Sequence, residues 1–259
     1  MTGIEFTKIN SPTYTLLYIS CCTTDSALSL SNHPIIRRWP AEHPERLQLY
    51  SFPTPNGVKI SIALEEMELP YEAHTVKISG DQHTEEFRSL NPNGKIPAIV
   101  DPNGPSGSTI SLWESGAILL YLAEKTGKLL PTDLQGRFSA MQWLMFQMGG
   151  LGPMIGQYGY FSKFAGKEIE DPRPKERYIA ESRRLLSVLE NQLSKTEFIV
   201  NDQYTIADIA IFPWLRGARD FYNASDDFQM PEFIHTMAYL DRCLQRPAVQ
   251  RGLSVPARE

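Results

Sequence analysis

Thr54 and Asn56 stand in the turn Pro53-Thr54-Pro55-Asn56-Gly57, between an apolar strand-like run from Leu47 and a helical stretch ending at Met67. Two prolines and a glycine suppress regular structure there, and Gly57 suits a close backbone approach. A helix that starts just after such a turn leaves backbone N–H groups free. With a hydroxyl and a carboxamide beside them, those groups favour an anion. The same residues also fit a plain strand-to-helix connection. A second pair, Glu114-Ser115, opens another helical stretch. The Ser115 hydroxyl and N–H can bind a carboxylate and Glu114 an ammonium, which together would recognise a free amino-acid head group; alternatively Ser115 is only an N-cap. Between the pairs, Ile96-Pro97 enters a strand. If the bond is cis, Ile96 can offer its N–H and C=O to a short peptide lying alongside.

These residues need a frame. Ile60, Ala63, Leu64 and Met67 recur at helical spacing. Tyr71 to Ile78 reads as a strand, Phe87 to Leu90 as a helical turn, and Ile96–Val100 with Thr109–Trp113 as a hairpin. Gly116 to Lys125 reads as a strong helix. Residues 46–126 therefore predict a small α/β layer. Residues 127–133, TGKLLPTD from Thr126, form a linker, with Gly127 closing one helix and Pro131 blocking its continuation. Residues 134–252 read as an all-α domain, followed by a tail at 253–259. Within it, Phe138, Met141, Met145 and Met148 make one stripe, read as core packing, and Leu185, Val188, Leu189 and Leu193 another. Thr205-Ile206-Ala207-Asp208 matches a capping box, which gives Asp208 a structural role.

Residues 1–45 show no sustained periodicity and read as an extension that either wraps over the body or stays disordered. They resemble neither a secretory signal nor a mitochondrial presequence: Lys8 is the only early positive charge, and Glu5, Asp25 and Glu42 interrupt the stretch. A net charge of -5 and a pI near 5.6 speak against nucleic-acid and anionic-membrane partners. No apolar run is long enough to span a bilayer. The three cysteines, Cys21, Cys22 and Cys243, make no disulfide framework and no C-x-x-C, which points to a reducing, cytoplasmic setting and to a thiol supplied from outside the protein. Cys243 reads as a packed core thiol.

The ordered motifs PTPNG, NPNGKIPAI, LWESGAILLYLAEKTG, QMGGLGPMIGQ and YTIADIAIFPW closely resemble glutathione transferases. More narrowly, they are similar to the nu-class enzymes that reduce disulfides with glutathione and to the fungal nitrogen-regulator-related transferases. The resemblance covers about Leu47 to Gly252 and implies a thioredoxin-like domain followed by an all-α domain, in a homodimer with two active sites. Glutathione is the implied co-substrate, and no metal is implied. The resemblance assigns the head-group contacts to Glu114 and Ser115 and the cysteinyl backbone contact to Ile96 before a cis Pro97. It gives further glutathione contacts to Gln82, Lys95 and Arg177, and sets Thr54 and Asn56 against the sulfur. Tyr50 and Ser51, which invite comparison with the tyrosine or serine of other transferase classes, are then decoys. After Gln157, where relatives carry histidines, this chain has Tyr158, Gly159, Tyr160 and Phe161, so Gln157, Tyr158, Tyr160 and Phe161 are the expected second-substrate pocket. Near Arg177, the stretch 169–175 carries Pro172 and Pro174 and reads as slightly longer than usual.

The chemistry implied is stabilisation of a thiolate. A thiol with a pKa near 8.5 is only a few per cent ionised at neutral pH, and the thiolate is the nucleophile. Lowering that pKa by one unit takes about 1.4 kcal/mol, within reach of one or two hydrogen bonds. The expected activity is reduction of disulfides by glutathione. Conjugation of glutathione to hydrophobic electrophiles, a non-catalytic glutathione-fold binding or regulatory module, and a carrier of small hydrophobic ligands are the alternatives.

Overall fold

The computed structural model describes residues 30–257, so Cys21 and Cys22 lie outside the described residues. Strand β1 (Leu47–Ser51) is buried along its whole length and feeds helix α1 (Gly57–Met67) through the Pro-rich turn. β2 (Tyr71–Thr75) runs parallel to β1, while β3 (Ala98–Asp101) and β4 (Ile110–Trp113) add on antiparallel. The resulting four-stranded sheet has the order β2-β1-β3-β4. Helix α2 (Glu85–Leu90) lies between β2 and β3, and α3 (Ser115–Thr126) follows β4. This is the thioredoxin-like arrangement.

Strand alternation sorts the core into two halves. Leu49 and Ile99 face α1, α3 and the helical domain, within one continuous apolar cluster. Tyr50, Ala98 and Val100 face the opposite side, where Phe87 and Leu90 of α2 cover them together with Leu30 and Ile35. Residues 30–45 of the extension therefore wrap over the body. The Trp39 indole donates to the Thr75 carbonyl at 2.9 Å and meets the Tyr50 and Phe87 rings edge-on. The Glu72 carboxylate accepts from the N–H groups of Glu42 and His43.

The second domain is all α: α4 (Leu134–Phe146), α5 (Gly152–Lys163), α6 (Arg173–Leu193), α7 (Ile206–Arg216), α8 (Ile234–Leu244) and α9 (Pro247–Gly252). Wider π-helical turns at 147–151 and 217–221 interrupt the helical path after α4 and α7. α9 returns to α1, where the Ser61 hydroxyl donates to the Gly252 carbonyl at 2.6 Å and Arg246 grips Glu66 with two bonds. The stripe at Leu185, Leu189 and Leu193 is buried, as is Cys243.

The Phe138 and Met145 reading needs correction. Phe138 is 59% and Met145 55% exposed. α4 buries Gly136, Ala140, Trp143 and Leu144 instead. That set also recurs at helical spacing, so the helix carries two apolar stripes and only one faces the core.

At the start of α7 the capping box is complete, with Thr205 and Asp208 bonding each other's backbone ends. Asp208 is wholly buried and also accepts from the N–H of Ile199 at 3.0 Å, which ties the preceding loop to the helix. Burial pushes its carboxyl up to about 6. Asp208→Ala leaves two buried N–H groups without an acceptor and is expected to cost about 3 kcal/mol, read as a lower urea midpoint with an unchanged m-value.

Among the described residues no helix is long and apolar enough to cross a membrane, and no group of three or more acidic, His or Cys side chains gathers into a metal site.

Candidate active site

The turn between β1 and α1 is built by its own backbone. The Thr54 N–H donates to the Phe52 carbonyl at 2.7 Å, and the Thr54 carbonyl accepts from Val58. The Thr54 hydroxyl oxygen accepts from the Gly57 N–H at 3.1 Å. Gly57 is demanded by space, because a Cβ there would sit 1.9 Å from the Phe52 carbonyl oxygen. With an oxygen lone pair committed to Gly57, the Thr54 hydroxyl keeps its hydrogen to donate.

Asn56 is oriented from the other domain. The Trp214 indole N–H donates to Asn56 Oδ1 at 3.0 Å. An indole nitrogen is only a donor, so this contact fixes which end of the amide is oxygen and leaves Nδ2 as the donor available to a ligand. Thr54 and Asn56 both line a cleft of about 620 Å³, whose other walls include Ile78, Phe164, Trp214, Phe221 and Tyr222. Arg216 and Asp220, 3.8 Å apart, supply charge among these lining residues. Tyr50 and Ser51 are fully buried. The Tyr50 ring stacks on His74 with centroids 4.6 Å apart, and burial pushes its phenol up, far from any role as a thiol-activating base.

Glu114 and Ser115 form the corner between β4 and α3. Glu114 is exposed and held at φ 70°, a left-handed value costly for a side-chain-bearing residue. Ser115 is 3% exposed. As the first residue of α3 it belongs to the helix end whose N–H groups favour a carboxylate. Beneath it lies Lys59, fully buried, with Nζ 3.4 Å from Ser115 Oγ and 2.6 Å from Gln147 Oε1. Burial brings its amine down to about 7, against the opposing pull of Glu114.

The Ile96-Pro97 bond is cis, and the Ile96 backbone makes no backbone hydrogen bond to another described residue. Asn91 shapes the loop before it, donating to the Lys95 carbonyl at 2.5 Å and accepting from the Asn93 N–H. The Lys95 side chain is exposed. Gln82 is turned onto its own loop: its Nε2 donates to the Ile78 carbonyl at 2.7 Å and its Oε1 accepts from Gly80.

The remaining expected residues lie outside the cleft walls. Arg177 is exposed on α6, in a shallow groove with Asp171, Arg173, Pro174 and Tyr178. Tyr158 is buried and donates to Asp227 at 2.7 Å. Phe161 stacks on Tyr178, Tyr160 packs edge-on against Phe161, and Gln157 is exposed. The cleft wall is formed instead by Phe164, just beyond α5, and by the π-helical turn after α7.

Residues 54–125 match the family described as Glutathione S-transferase, N-terminal domain, and residues 152–247 match Glutathione S-transferase, C-terminal domain. The chain belongs to the glutathione transferase family. It is 37% identical to the disulfide-bond oxidoreductase YghU of Escherichia coli, over 96% of this chain and 82% of that protein. A glutathione transferase from Burkholderia graminis, crystallised with two glutathione molecules per subunit, is 59% identical with a TM-score of 0.88, over 92% of this chain and 99% of that one. One from Pseudomonas putida, with a glutathione disulfide bound per subunit, is 57% identical with a TM-score of 0.87, over 88% and 99% of the two chains.

In this glutathione transferase, sequence reasoning missed Trp214, Lys59 and Gln147. Trp214 stands 158 residues from Asn56, and nothing local announces their pairing. Lys59 had a signal: it interrupts Gly57-Val58-Lys59-Ile60-Ser61-Ile62, a run too apolar to be one exposed face. Gln147 and Trp214 approach each other through Gly152, where a Cβ would come within 2.4 Å of the Gln147 amide and 3.0 Å of the indole nitrogen.

Proposed function

We propose that the protein binds glutathione with its γ-glutamyl end at Glu114 and Ser115, its cysteinyl backbone along Ile96, and its sulfur against Thr54 and Asn56, and that it reduces disulfides. One observation carries this reading. Thr54 and Asn56, whose acceptor atoms already serve Gly57 and Trp214, retain donors and line one cleft. Such donors stabilise a sulfur anion. Bound glutathione supplies the thiolate, which displaces one sulfur of a disulfide, and a second glutathione completes the exchange to glutathione disulfide and two thiols. The nearby cleft has room for that second partner. Lys95, Gln82 and Arg177 are outer contacts for the glutathione carboxylate and peptide groups.

Excess glutathione is expected to turn over a small model disulfide rapidly, with feeble conjugation of a chlorinated aromatic assayed beside it. Strong conjugation with no disulfide turnover would instead favour the second reading, for which the aromatic wall of Phe164, Phe221 and Tyr222 is the supporting observation.

The same reading includes a homodimer in a reducing, cytoplasmic setting. The exposed stripe of Leu134, Phe138 and Met145 on α4 supports a face covered by a second copy. Sedimentation at micromolar concentration is expected to give twice the chain mass, and Phe138→Glu to give the monomer.

A further inference from the structure

Lys59 is a buried cation that the proposed thiol chemistry does not use. It sits on α1, within the thioredoxin-like domain, and reaches two elements at once: the first residue of α3 and the π-helical turn after α4. Its three partners are Ser115 Oγ at 3.4 Å, Gln147 Oε1 at 2.6 Å and Met148 Sδ at 3.6 Å. None carries a charge. Among the described residues, Glu114 is the charged group whose field reaches it. A lysine fully removed from water with only neutral partners lacks the anion that such burial calls for. The carboxylate site at the start of α3 is immediately above it.

Ser115 links the two. Because Lys59 donates to its oxygen, the Ser115 hydrogen must point elsewhere, and its acceptor in this structure is the Met148 thioether at 3.8 Å. A thioether is a weak acceptor, and a carboxylate would displace it readily.

We propose that Lys59 is a positioning residue of the head-group site: it holds Ser115 as a hydrogen-bond donor toward the ligand carboxylate, and that carboxylate completes the lysine's charge, so that binding draws a proton onto Lys59. The proposal rests on the assignment of Glu114 and Ser115 as the head-group site. Burial brings the amine down to about 7 in the free protein, so that part of it is uncharged at neutral pH. An anion bound close by favours the charged form and raises that value. Binding is then linked to proton uptake, and affinity weakens as pH rises above 7.

S-methylglutathione tests this without interference from a titrating thiol. Calorimetry of the full chain in two buffers of different ionisation heat is expected to show proton uptake on binding between pH 7 and 8, vanishing at acid pH where the amine is already charged. No uptake between pH 7 and 8 would overturn the proposal, and this measurement needs no variant. Lys59→Met is expected to weaken S-methylglutathione binding by roughly tenfold or more, to abolish the uptake, and to raise KM for glutathione while kcat at saturation stays within about twofold. Unchanged affinity or unchanged uptake in that variant would equally overturn it. Glu114→Ala and Ser115→Ala are measured alongside. If both keep full affinity, the head-group assignment has failed. If they lose affinity while Lys59→Met keeps it, the proposal for Lys59 alone has failed.

Discussion

Asn56→Ala is expected to cut the rate of disulfide reduction at pH 7 by about ten- to a hundredfold and to move the pH–rate profile upward by one to two units. On the proposed placement of glutathione, the Asn56 Nδ2 donor, whose amide is oriented by Trp214 on the oxygen side, holds the sulfur anion. A hydrogen bond to a charged acceptor is worth about 1.5–3 kcal/mol, or one to two pKa units. The sign follows from which form is favoured. Stabilising the thiolate lowers the thiol pKa, so losing the donor raises it. The deficit is therefore largest at and below neutral pH and closes as pH approaches 10, where the thiolate forms unaided. The thiolate absorbance of bound glutathione, followed against pH, measures the shift directly. A profile that does not move would place the sulfur elsewhere.

Glu114→Ala is expected to weaken glutathione binding by ten- to a hundredfold while leaving kcat at saturation nearly intact. A carboxylate facing an ammonium forms a charge-assisted bond of about 1.5–3 kcal/mol, and the bond is the same in ground and transition states. The backbone supplies a control. Glu114 is held at φ 70°, which alanine tolerates no better but glycine adopts freely. Glu114→Gly is therefore expected to lose the same affinity as the alanine variant while melting at a higher temperature than it does. Equal binding by the parent and both variants would remove Glu114 from the site.

The residues that declare themselves in the sequence do so by local rules. Pro53, Pro55 and Gly57 mark the turn because two fixed φ angles and a missing Cβ allow little else, and the structure shows the Phe52 carbonyl pressed against Gly57. Thr205 and Asp208 announce a helix start because the capping box is a four-residue device. The Ile96-Pro97 entry into β3 is visible for the same reason. Expectations that depend on distant packing fare differently. The resemblance puts Tyr158, Tyr160 and Phe161 at the second-substrate pocket. In the structure Tyr158 bonds Asp227, Phe161 stacks on Tyr178 of α6, and the residues lining the cleft beside Thr54 and Asn56 come from Phe164 and from α7 and the turn after it. Phe138 and Met145 share helical spacing with a core stripe, and periodicity alone cannot say which of two apolar stripes meets the core. Lys59 illustrates the opposite case. A lysine reads as solvated by default, and only the packing of α1 between α3, α7 and α9 buries it.

The bond from Trp214 to Asn56 crosses between the two domains. The donor proposed to face the sulfur belongs to one half of the chain and its orientation to the other. On that proposal, activity gauges how well the halves are seated: a small tilt of α7 would free the amide to rotate and dull the nucleophile while every helix remained intact. The same arrangement constrains evolution and engineering. On that proposal, the first domain grafted onto a foreign helical partner would need an indole, or another lone donor, at the same spot to keep its reactivity.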